Sequence, residues 1–170
     1  NKSILISGYG SAGRRHANIL SSIVKKKNIT ILTNQKISDF RTVKTLKAIK
    51  EIDPSYIVLC NPTNDHLHKI KFIEKNFKDK VVLVEKPLFS KSNKIKIKNN
   101  KYYVGYNLRF NPIISFLKKK IKLKKVWNVN IFCGSYLPGW RSNINYSKSS
   151  SAKKNLGGGD RMKTKQLIFL

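Results

Sequence analysis

Directly behind the apolar run Ile4-Leu5-Ile6 the chain reads Gly8-Tyr9-Gly10-Ser11-Ala12-Gly13, and the residues that follow take up a helical period. Few short segments constrain a fold as strongly as three glycines spaced this way between a strand and a helix. The first glycine permits a tight turn. The second lets a ligand approach the backbone, and the third allows the helix to pack close to its strand. The N–H groups of Ser11, Ala12 and Gly13 would open the helix without intrahelical partners, at the positive end of its dipole, where a pyrophosphate can be held. Given nine glycines in 170 residues, this spacing arises by chance about 0.03 times per chain. Gly8, Gly10, Ser11, Ala12 and Gly13 are therefore the expected binding loop of a dinucleotide.

The rest of the chain repeats the strand–helix alternation that this motif begins. Ile29-Thr30-Ile31-Leu32, Tyr56-Ile57-Val58-Leu59, Val81-Val82-Leu83-Val84 and Tyr102-Tyr103-Val104 are continuous apolar runs. Such runs suit strands buried on both faces of a parallel sheet. Helical spacing joins Ala12, His16, Ile19, Leu20 and Ile23, then Val43, Leu46, Ile49 and Lys50, then Leu67, Ile70, Ile73 and Phe77. A crossover helix is also expected between Lys91 and Lys101. The expected class is α/β, a Rossmann-type doubly wound parallel sheet. After Asn111-Pro112 the pattern changes. A short helix is expected over Ile113 to Leu117, a strand over Val126 to Phe132, and a Ser/Lys/Gly-rich loop from Ser147 to Gly159. Two units are expected, residues 1–111 and an incomplete α+β unit over 112–170.

Charge admits two readings. Lys and Arg number 36 against 8 Asp and Glu, a formal balance of +28. That is the footprint of a nucleic-acid or anionic-surface binder. Only six of the cations are Arg, whereas base-reading and bidentate phosphate sites favour Arg. Lys, Asn and Ile are together abundant, as compositional drift toward A/T-rich codons would produce at tolerant surface positions. No specific nucleic-acid partner is expected. Cys60 and Cys133 form no disulfide framework and no metal cluster, and fit a reducing, cytoplasmic setting. No apolar run reaches the roughly 18 residues of a membrane span, and no signal peptide or membrane partner is expected.

The second strand would end in Thr33-Asn34-Gln35-Lys36. An NAD site usually has an acid about 20 residues past the glycines to take the ribose hydroxyls, and none stands here. Thr33 or Asn34 can hydrogen-bond a ribose, while Arg14 and Lys36 can accept a 2′-phosphate. NAD and NADP both remain open as cofactors.

Several segments, taken in order, resemble the glucose–fructose oxidoreductase/inositol dehydrogenase (Gfo/Idh/MocA) family over roughly residues 3 to 159. They are Gly8 to His16, Asn61-Pro62-Thr63-Asn64-Asp65-His66, Val84-Glu85-Lys86-Pro87-Leu88, and Val104-Gly105-Tyr106-Asn107-Leu108-Arg109-Phe110-Asn111-Pro112. The resemblance implies a nicotinamide-dependent oxidoreductase acting on a sugar-like hydroxyl or carbonyl. Lys86 is the counterpart of the family's catalytic lysine, and Pro87 of a proline that often follows a cis bond. Glu85, Asn61, Pro62, His66 and Lys86 itself, beside the nicotinamide, are implied on the cofactor side. Asn61-Pro62 reads equally as a strand-end turn, and His66 equally as a packing or capping group. Asn107, Arg109, Trp140 and Arg141 are implied on the substrate side, and no metal is implied.

The family continues into a second domain through which it oligomerises. Past its glycines a helix carries an Asp and, a turn later, a proton-accepting His. Here Gly157-Gly158-Gly159 is followed by Asp160 and a tail without His. A truncated second domain with impaired turnover is therefore expected. A non-catalytic NAD(P)-binding subunit is the alternative.

Overall fold

The computed structural model describes residues 3–121 together with 126–128, 130, 132, 145 and 153. Its centre is a six-stranded sheet built from β1 (Ile4–Ser7), β2 (Ile29–Leu32), β3 (Arg41–Val43), β4 (Tyr56–Leu59), β5 (Val81–Val84) and β6 (Lys101–Val104). The order across the sheet is β3-β2-β1-β4-β5-β6, and every neighbouring pair is parallel. This is the doubly wound Rossmann order, with the winding reversing between β1 and β4. Four helices accompany the sheet: α1 (Ser11–Ser21), α2 (Ile49–Ile52), α3 (Thr63–Asn76) and α4 (Pro112–Ile121).

Strand alternation divides the apolar residues into two cores. Leu5, Ile57, Leu59, Val82 and Val84 pack with Ile49 of α2 and Ile70 and Ile73 of α3. Ile4, Ile6, Ile29, Ile31 and Val58 pack on the other face with Ala17 of α1 and with Phe40. The continuous apolar runs are thus explained, since β1, β2 and most of β4 are buried on both faces.

Three helix expectations need correction. Val43, Leu46 and Ile49 do not share one helix. Val43 ends β3, Leu46 lies in a turn, and Ile49 opens the four-residue α2. All three touch the same core, so a common destination imitated a helical period. Asp53, in the left-handed region at φ 43°, closes α2.

On α1 the stripe facing the sheet is Gly13, Ala17 and Leu20, with Val24 beyond its end, and Ile19 and Ile23 are 53% and 71% exposed. Ala12, His16 and Leu20 of the expected stripe are half-buried and Leu20 packs on the core. Ile19 and Ile23 do not belong to it, because the helix lies close to the sheet and places small Gly13 and Ala17 there.

No helix fills the β5–β6 crossover. Glu74 of α3 moors the segment instead, its carboxylate accepting from the backbone N–H of Lys98 (3.1 Å) and Asn99 (3.2 Å) and from Asn100 Nδ2 (2.9 Å). Anchored there at Lys98 and Asn99, the segment carries no helix, while Leu88, Phe89 and Ile95 still pack on the core.

The helix expected at 113–117 is present as α4. The strand expected at Val126–Phe132 falls partly outside the described residues, and Val126, Trp127, Asn128, Asn130 and Phe132 within it carry no strand. The loop expected at Ser147–Gly159 lies outside them except for Lys153.

Candidate functional site

Register aligns the ends of five strands. Ser7 sits beside Leu32 on one side and Leu59 on the other, and Leu59 beside Val84, itself beside Val104. The segments beginning at Gly8, Thr33, Cys60, Glu85 and Gly105 therefore leave the sheet along one edge. Backbone bonds hold that edge level: Gly8 N–H to Leu32 O (2.9 Å), Cys60 N–H to Ser7 O (2.8 Å), Glu85 N–H to Leu59 O (2.9 Å) and Gly105 N–H to Val84 O (2.8 Å). Open parallel sheets bind ligands at this carboxyl edge, in the crevice where the winding reverses. Here the crevice has the glycine loop on one side and Cys60-Asn61-Pro62 on the other.

The three glycines serve different ends. Gly8 adopts φ +94°, and a Cβ on it would lie 3.0 Å from the Cys60 carbonyl carbon. Gly13 meets the loop itself, since a Cβ there would collide with the Gly8 carbonyl oxygen. Gly10 is different. Its backbone is ordinary extended chain (φ −79°, ψ −164°), and a Cβ on it would meet nothing within 4 Å among the described residues. Neither conformation nor internal packing demands glycine there. Gly10 also precedes α1 without a side-chain cap, and no acidic residue stands in the first turn. The helix start is thus left open and positive.

Around this loop, Arg14 lays its guanidinium over the Tyr9 ring (5.6 Å to the centroid), and Tyr9 meets Phe40 edge-on (centroids 6.3 Å). Thr33 is half-buried and its hydroxyl accepts the Gln35 N–H at 3.1 Å, while Asn34 is exposed.

Across the crevice, His66 is buried, with Nε2 2.9 Å from Asn61 O and Nδ1 3.1 Å from both Pro87 O and Leu88 O. It joins the loop after β4 to the loop after β5 by their backbones, with both ring nitrogens occupied internally. The Asn61 carboxamide oxygen is buried without a partner among the described residues. Cys60, behind Gly8 and Gly13, has its thiol pushed up to about 12, first by burial and then by the nearby Glu85 charge.

After β5, the Glu85 carboxylate receives His16 Nε2 at 2.7 Å and the Lys86 N–H at 3.3 Å. The His16 hydrogen bond is the main cause holding Glu85 below the ordinary carboxylate range, against its burial. Lys86 is exposed beside that pair, and its bond to Pro87 is cis. Asn107 and Arg109 lie in a 3₁₀ turn past β6 and are exposed. Trp140 and Arg141 lie outside the described residues.

The sequence reading passed over His16 and Lys69 as chemical groups. His16 is the polar member of α1's sheet-side surface, and that oddity was the available signal. Lys69 of α3 is buried, donates to the Ser7 hydroxyl at 3.1 Å, and has its ammonium pushed down by that burial. A charged residue between apolar neighbours on a core face was its signal. No group of three or more potential metal ligands gathers among the described residues, and no helix there is long and apolar enough to cross a membrane.

No family model matches the chain, and no curated protein matches it in sequence. Solved structures do match. WlbA dehydrogenase from Bordetella pertussis, in complex with NADH and UDP-GlcNAcA, aligns over 72% of this chain and 42% of its own at TM-score 0.58 and 14% identity. The WlbA (WbpB) dehydrogenase from Thermus thermophilus, in complex with NAD and UDP-GlcNAcA, aligns over 74% and 48% at 0.57 and 15%. Scyllo-inositol dehydrogenase from Lactobacillus casei, with bound NAD(H) and scyllo-inositol, gives 72%, 41%, 0.54 and 15%. What they share with this chain is the fold. The chain spans less than half the length of each of these dehydrogenases.

Proposed function

We propose that the chain binds NAD or NADP across the β1/β4 crevice. On this reading it is an oxidoreductase of Gfo/Idh/MocA type, transferring hydride to or from a sugar or sugar-nucleotide. The observation that carries the reading is Gly10. A residue with no conformational or packing need to be glycine stands at an open, positive helix start, which is the cradle a pyrophosphate requires. Dehydrogenases of the same fold hold NADH or NAD together with a sugar nucleotide or an inositol, which supports both the cofactor and the substrate class.

The residues present fit such a group. Gly10 keeps a side chain out of the cradle, and Gly8 and Gly13 let the turn and the helix close behind it. The N–H groups of Ser11, Ala12 and Gly13 hold the phosphates, and Thr33 and Asn34 receive the adenosine ribose. Asn61 and Pro62 wall the crevice beyond. A bound nicotinamide supplies the hydride acceptor or donor. Lys86 is the proposed catalytic group, donating a hydrogen bond from Nζ to the reacting oxygen and stabilising negative charge that develops there. Glu85, fixed by His16, orients the Lys86 backbone, and His66 keeps the loops after β4 and β5 at a constant separation. Asn107, Arg109, Trp140 and Arg141 are proposed to face the substrate. A second unit is proposed to begin at Pro112, which is supported by α4 burying none of its residues.

Titration with NADH and NADPH, followed by nicotinamide fluorescence, tests the reading. Saturable binding of at least one is expected, and no binding of either at millimolar concentration would overturn it. Lys86→Met should leave cofactor affinity intact while abolishing hydride transfer to sugar nucleotides. Binding with no transfer by the parent chain would instead favour a non-catalytic NAD(P)-binding subunit.

A further inference from the structure

The adenosine end of the crevice, between β2 and the start of α1, carries cations and aromatics where a carboxylate would be needed to hold two ribose hydroxyls. From Thr33 to Lys36 the chain offers a hydroxyl, two carboxamides and an ammonium, and the first turn of α1 has no acid. Asp39 precedes β3 at its amino end, since Arg41 registers against Thr30, early in β2. Asp65 opens α3, which packs on the opposite face of the sheet from α1.

Arg14 is meanwhile held for a task the fold does not use. It is exposed and makes no ion pair among the described residues, yet its guanidinium is parked on the Tyr9 ring, itself steadied against buried Phe40. Among the described residues its guanidinium makes no hydrogen bond. Its in-plane N–H donors stay available in the fork that matches a phosphate. Lys36 adds a second, exposed cation on the loop after β2.

We infer that this site selects the dinucleotide bearing a phosphate on the adenosine 2′-oxygen, with Arg14 as the fixed anchor and Lys36 as its partner. The inference rests on the dinucleotide reading above and extends it to a choice between the two cofactors. The solved dehydrogenases above hold NADH or NAD, so the preference would be a departure from them in this chain.

The test is calorimetric and fluorimetric titration of the full chain with NADPH and NADH at matched ionic strength, and with 2′,5′-ADP against 5′-AMP. NADPH should bind at least about tenfold tighter, as a charge-assisted, bidentate phosphate contact allows, and 2′,5′-ADP should beat 5′-AMP by a similar factor. Arg14→Ala should bring the NADPH/NADH ratio close to one without weakening NADH. Asn34→Asp should reverse the ratio. Lys75→Ala, on an exposed turn of α3, should change nothing, and an equal loss there would assign the preference to overall charge and overturn the inference. Equal affinities, or tighter NADH, would overturn the selectivity alone. Failure of both nucleotides to bind would overturn the dinucleotide reading as well.

Discussion

Among single residues, the glycines offer the sharpest separation of folding from binding. Gly13→Ala drives a methyl into the Gly8 carbonyl, backbone that has no rotamer with which to yield. It should destabilise the chain by about 3 kcal/mol or more, read as a lowered urea midpoint. Gly10→Ala should unfold at the parent's midpoint, because its methyl enters open space, while dinucleotide affinity falls about tenfold or more. Cys60 gives an independent check on how tightly the loop is backed. With its thiol raised to about 12, the reactive thiolate is scarce at pH 8, and alkylation of the Cys60 peptide in folded protein should run roughly a thousandfold slower than in denaturant. Mass spectrometry after timed iodoacetamide exposure measures this directly.

Elements are where the sequence was partly legible. Strands β1, β2 and β4 could be read from their apolar runs because burial on both faces leaves no other pattern, whereas β5 and β6 were legible from their Val and Tyr runs although burial alternates along them. β3 could not. Three residues, Arg41-Thr42-Val43, are too few for a run, and their exposed edge position gives no alternation. The β5–β6 crossover was misread because its form depends on Glu74, far away in sequence and invisible to local periodicity. The glycine loop and the Glu85-Lys86-Pro87 segment were legible, whereas the His16–Glu85 pairing spans 69 positions and needed the fold.

That pair ties α1 to the end of β5 and has a pH signature. Glu85 is held below its unfolded value of about 4.3, so the folded state binds fewer protons in the acid range and stability rises with pH there. The contribution is complete above the unfolded value and is lost as pH falls through the folded one. His16→Ala should remove about 1–2 kcal/mol at pH 6 and much less at pH 3, flattening the acid limb of the stability curve measured by denaturant unfolding.

For the molecule as a whole, charge is the unusual term. Among the described residues only His16–Glu85 and Lys80–Asp53 (2.7 Å) form ion pairs, against a formal balance of +28. Self-repulsion of this kind opposes compactness, and a polyanionic ligand relieves it as well as binding. Cofactor at about 100 times its dissociation constant should add about 2.7 kcal/mol by mass action, a rise of roughly 5–10 °C in melting temperature for a chain of this size. Differential scanning fluorimetry across added salt separates the parts. The share due to mass action persists once the Debye length shrinks below about 8 Å, and the share due to relieved repulsion fades.

The central position of β1 carries a further consequence for how the protein is made. Its outer neighbour β2 is translated soon after it, yet its other flank stays bare until β4 has left the ribosome, more than fifty codons later. The peptide groups of Cys60 and Asn61 that brace the turn at Gly8 come later still. A nascent chain therefore carries the whole glycine signature long before the opposite wall of the crevice exists, and a dinucleotide bound as proposed would not assist its early folding.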